Sequence, residues 1–98
     1  MHSLAIMTVH QFNEAGRPIS SVSAVEASFG RTVTLSDRFN QPTVYEGEIA
    51  RKLTEIHATV PNGHMSIVHI KGDKVTLAET RDVAATVRAI HRAAHKAA

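Results

Sequence analysis

The sequence predicts an α+β domain: an antiparallel sheet built from β-hairpins, a C-terminal helix packed on one face, and a second helix in the middle of the chain. Three observations predict it. Residues 65–80, MSIVHI–KGDK–VTLAET, place two apolar segments on either side of a two-residue Gly-Asp turn. The last nineteen residues repeat Val83, Val87, Ile90 and Ala94 at helical spacing. Between the loop FNQP (39–42) and the turn PNG (61–63), Ile49, Leu53 and Ile56 recur at i, i+4 and i+7 in a Glu-, Ala-, Lys- and Arg-rich stretch.

In chain order, residues 4–12, LAIMTVHQF, are rich in apolar and β-branched residues and read as a strand. NEAGRP supplies turn chemistry through Gly16 and Pro18. Residues 19–29, ISSVSAVEASF, admit two readings. Pro18 and Gly30 would frame a helix, whereas four serines and three β-branched residues favour extended chain. The strand-like TVTLSD that follows favours a hairpin with SFG as its loop, which sets Val25 opposite Val33. A helix is expected over about 47–58. If that stretch were two strands instead, the chain would carry seven strands and a terminal helix, the element order of a pleckstrin-homology-like barrel.

In the 65–80 hairpin, Ile70 is expected to face Val75 and Val68 to face Leu77, all four buried, with His69 and Thr76 exposed on the other side. GRTVTLSD (30–37) and GDKVTLAE (72–79) share four of eight positions. A glycine turn followed by Val-Thr-Leu is a common way to spell a hairpin, and the flanks do not continue the match, so duplication is the less favoured explanation. In the terminal helix Thr80 is placed to cap and Asp82 to sit in the first turn.

Ninety-eight residues allow one domain, 1–98. With no tryptophan, three phenylalanines and one tyrosine, its core rests on Val, Ile and Leu. Such small cores carry narrow stability margins, for which pairing with a second copy is a common remedy. A homodimer is therefore expected. The absence of cysteine excludes disulfides, thiol nucleophiles and thiolate metal sites, and fits a reducing compartment. The opening MHSLAIMTVH has no Lys or Arg, its apolar run ends at Met7, and no stretch approaches the roughly 18 apolar residues of a membrane span. A cytoplasmic protein without membrane contact is expected.

Residues 1–50 carry a net charge of −2 and residues 51–98 a net of +4. On a helical projection Arg81, Arg88, Arg92 and His95 gather opposite the apolar stripe, with Lys96 just beyond and His91 at the boundary. This is the one candidate basic surface. Its simplest explanation is that cations near a helix C-terminus complement the helix dipole and stay in water. Phosphate contact is the alternative, though no aromatic residue is interleaved for base stacking. His91 and His95 stand four apart, as in helical zinc motifs, yet the helix supplies neither a third ligand nor an adjacent glutamate, so no metal site is expected there. His57, His64 and His69 surround the PNG turn and are expected to be solvated, while His2 and His10 show no spacing relation to them.

Nucleophile-elbow, phosphate-loop and dinucleotide motifs are all missing. Asp37, Glu46 and Glu48 form no acid–base pair by spacing. The functional expectation is a non-catalytic binding or assembly module without cofactor. It would self-associate as a dimer or take a protein partner through a sheet edge or helix face. A weak nucleic-acid-binding accessory using the basic helix is the alternative.

Overall fold

The computed structural model describes residues 6–37 and 41–96, with side chains through residue 93. The first two residues of the expected 4–12 strand, and Phe39 and Asn40 of the expected loop, lie outside the described residues. Seven strands and two helices follow in the order β1 (Met7–Phe12), β2 (Pro18–Ala24), β3 (Glu26–Ser28), β4 (Val33–Ser36), β5 (Thr43–Tyr45), α1 (Gly47–Thr59), β6 (His64–Lys71), β7 (Lys74–Asp82) and α2 (Val83–Lys96). The protein is α+β, and no barrel closes. The strands form a four-stranded sheet in the order β2-β1-β6-β7 and a three-stranded sheet in the order β3-β4-β5.

Two local hairpins make up the larger sheet. β1 and β2 pair antiparallel across a turn in which Gly16 N–H donates to Asn13 O and Arg17 N–H donates to Asn13 Oδ1. β6 and β7 pair across Gly72-Asp73, and Gly72 takes the positive φ (62°) that the tight turn demands. The hairpins join through β1 and β6, which run parallel. The expected all-antiparallel sheet is thus corrected to a mixed one. The reason is topological: β1 and β6 are separated by the second sheet and α1, and a long crossover can return the chain in either direction.

Residues 19–29 are extended. The chain bends at Val25, leaving the larger sheet after β2 and entering the smaller one as β3. The hairpin of β3 with β4 exists, but Ala27 lies opposite Leu35 and Ser28 opposite Thr34. Val25 therefore does not face Val33, whose partner across the sheet is Tyr45 on β5. Val33 and Leu35, two apart on β4, share one face and are both buried. The two similar phrases thus belong to hairpins with different turns in different sheets.

One face of the larger sheet carries Met7, Val9, Val22, Ala24, Ser66, Val68 and Ile70. Val33, Leu35 and Tyr45 of the smaller sheet, with Ala50 and Leu53 of α1, complete the core. Helix α1 lies against β4 and β7, as its apolar spacing predicts. In the 65–80 hairpin the expected pairs Ile70–Val75 and Val68–Leu77 are found. Val68 and Ile70 are buried, Val75 is half-buried and Thr76 exposed. Leu77 departs from expectation at 40% exposure. β7 is an edge strand with no strand paired on its outer side among the described residues, and a bulge between Ile67 and Val68 breaks the ladder just beyond Leu77.

The terminal helix also departs from expectation. Its stripe does not pack onto a sheet face: Val83 is half-buried, but Val87 and Ile90 are 45% and 66% exposed. The inner sheet face is already occupied by α1 and the smaller sheet, and the principal contact of α2 is with β7. Thr80 lies within β7, opposite Ser66, and does not cap the helix. Asp82 does so, its Oδ1 accepting from Ala85 N–H at 3.0 Å. No helix among the described residues is long and apolar enough to cross a membrane.

Candidate functional site

The basic surface read from the sequence is divided by the fold. Arg81 belongs to β7, where its guanidinium donates to both carboxylate oxygens of Glu79 (Nε at 3.0 Å, Nη2 at 3.2 Å). That bidentate pair neutralises it and draws the Glu79 carboxyl below its usual range, chiefly through the Arg81 hydrogen bond. Arg88 and Arg92 are exposed on α2 and, with Val87 and His91, line a shallow open groove. The side chains of Ala94, His95 and Lys96 lie outside the described residues. Among the residues whose side chains are described, Arg88 and Arg92 are the two arginines on this face.

The start of α2 is well secured. Val83 N–H donates to Gly63 O at 2.9 Å, tying the helix to the turn before β6, and Thr86 Oγ1 donates to Asp82 O at 2.9 Å. The Asp82 carboxyl is held below its ordinary value first by the Ala85 N–H and further by the charges of His64 and Arg88. Beyond this anchor Val87 and Ile90 of α2 are 45% and 66% exposed, and among the described residues the principal contact of the helix is with β7.

Further apolar side chains stand in the open at the strand edges of both sheets: Ile19 on β2 and Val44 on β5, besides Leu77 on β7. β7 is the longest strand, at nine residues, and its outer edge has no neighbouring strand among the described residues. An edge of this length beside an uncovered helix stripe is an arrangement that favours association.

The outer face of the larger sheet holds a group that sequence spacing did not reveal. The parallel register sets His10 opposite His69, with ring centroids 5.7 Å apart and planes at 75°. The His69 ring meets Phe12 edge-on at 5.3 Å. His10 Nδ1 is hydrogen-bonded to the Ser21 hydroxyl on β2, and Thr8 and Ser23 hydroxyls meet at 3.3 Å alongside. Both histidines are half-buried. Fifty-nine positions separate them, so only the pairing of β1 with β6 unites them.

The trio His57, His64 and His69 does not converge. His57 stacks flat on Phe29 at 4.0 Å, His64 lies near Asp82, and His69 joins His10. Among the described residues no group of three or more His, Asp or Glu is placed to hold a metal. No family model, curated protein or solved structure matches this chain.

Proposed function

We propose that this chain is a non-catalytic assembly module of the cytoplasm that pairs with a second copy of itself. The observation that carries the reading is helix α2, whose Val87 and Ile90 repeat at helical spacing yet remain 45% and 66% exposed. Burying a side chain of this kind contributes roughly 1.5–3 kcal/mol, and two-fold symmetry uses each contact twice. The free β7 edge, with Leu77 on it, is the second surface that a symmetric partner would cover. The cysteine-free sequence is in keeping with a reducing compartment.

The nucleic-acid reading has less to work with, because Arg81 is engaged by Glu79 and leaves Arg88 and Arg92 as the described cations of the helix. Light scattering at tens of micromolar tests the proposal. Wild-type protein should show twice the chain mass, and Ile90→Glu should show the chain mass with an unchanged circular dichroism spectrum. A monomeric wild type overturns it. Submicromolar duplex DNA binding at physiological salt, lost when Arg88 and Arg92 are both changed to Glu, would favour the nucleic-acid reading instead.

A further inference from the structure

We propose that His10 and His69 together bind a divalent first-row transition ion of the zinc, nickel or copper class on the outer face of the larger sheet, independently of how the chain assembles. The geometry suits a shared ion. An imidazole nitrogen binds zinc at about 2.0–2.1 Å, which puts the centroids of two rings on one tetrahedral ion roughly 5.2 Å apart. The observed 5.7 Å is a few tenths of an ångström from that, within reach of small χ adjustments.

Both rings are held in place before any ion arrives. Phe12 packs against the edge of His69, and Ser21 engages Nδ1 of His10. A proton on Nδ1 donated to the Ser21 hydroxyl leaves the Nε2 lone pair of His10 for the metal. This is the outer-sphere hydrogen bond that metal-bound histidines regularly carry. Each strand also fixes its own histidine backbone in the β1–β6 ladder, so little conformational freedom is lost on binding.

The donor set selects the ion. Two neutral imidazoles suit zinc, nickel and copper, whereas calcium and magnesium require oxygen-rich cages. Two protein ligands leave the remaining positions to water, so the ion is exchangeable. Like His91 and His95, the pair visible in the sequence, it offers two protein ligands; the ground for it is that Phe12 and Ser21 hold its two rings side by side, and an experiment can separate the two pairs.

Calorimetric titration of the metal-free chain with Zn²⁺ and with Ni²⁺ should give one ion per chain at this site. His10→Asn and His69→Asn should each weaken it by roughly tenfold or more, and Ser21→Ala by roughly tenfold. The double change His91→Ala and His95→Ala should leave it unaltered. In the wild type, substoichiometric Ni²⁺ should broaden the imidazole NMR signals of His10 and His69 before those of the other histidines, a readout that needs no variant to fold. The proposal is overturned if the wild type binds neither ion at millimolar concentration. It is likewise overturned if binding survives loss of both His10 and His69, or if broadening begins at His91 and His95.

Discussion

Ser66 lies on the inner face of β6, opposite Met7 on β1, fully buried, and its hydroxyl has no hydrogen-bond partner among the described residues. A buried hydroxyl without a partner loses its hydration for no return. Ser66→Ala should therefore raise the free energy of unfolding by about 1 kcal/mol, measured by urea denaturation. Asp82 is the opposite case, a polar group whose charge is used. Its folded-state value is lowered by the Ala85 N–H, so it contributes stability above its ordinary value of 3.8, and this is lost as the pH falls through the lower folded value. Stability should decline below about pH 4 for that reason, and Asp82→Ala should flatten this limb of the pH profile, followed by thermal melts. That an acidic residue would favour the start of α2 was legible in the sequence. That Asp82 and not Thr80 caps it was not, because β7 runs on through Thr80 before the helix begins.

The turn of the β6–β7 hairpin and its pairs Ile70–Val75 and Val68–Leu77 were readable because what sets them is local, whereas the bulge between Ile67 and Val68, the exposure of Leu77 and the half-burial of His69 were not. Gly72 can take positive φ, and the apolar alternation on both sides agrees with only one pairing. Ile70→Ala should cost roughly 2–5 kcal/mol, the range for emptying a filled core position. Leu77→Ala should cost clearly less in a dilute monomeric sample, because 40% of Leu77 is already exposed, and chemical denaturation of both variants checks the order. Gly72→Ala should cost about 1 kcal/mol by straining the turn. Helix α1 was legible as the favoured reading: the spacing predicts about 47–58 and the helix spans Gly47–Thr59. The first small hairpin was legible in kind but not in register. SFG resembles a tight loop, yet the connection is longer, and Ala27 lies opposite Leu35 where the shorter loop would have set Val25 opposite Val33.

The whole molecule extends 46 × 31 × 26 Å with a radius of gyration of 14.4 Å, against about 13 Å for a compact chain of one hundred residues. That elongation goes with a terminal helix anchored at Asp82, Val83 and β7 and not folded back over a sheet. If α2 is covered by a second copy, the melting temperature should rise with protein concentration, and Ile90→Glu should abolish that dependence. Differential scanning fluorimetry across a hundredfold concentration range would register a flat wild-type response as evidence against pairing.

By itself the sequence determined the α+β class, the β6–β7 turn with its Ile70–Val75 and Val68–Leu77 pairs, and the C-terminal helix, while over 19–29 and 47–58 it favoured strand and helix without settling either. Each depends on neighbours within about ten positions, through turn chemistry and the two side-chain periods. The tertiary structure alone decided the parallel union of β1 with β6, the bend at Val25 that divides the strands between two sheets, and the uncovered stripe of α2. It also decided the meeting of His10 with His69, since no spacing along the chain encodes which strands become neighbours. That choice follows from how the apolar faces of all the elements share a single core. The smaller sheet and α1 occupy the inner face, α2 lies at the edge, and the two histidines stand side by side on the outer face.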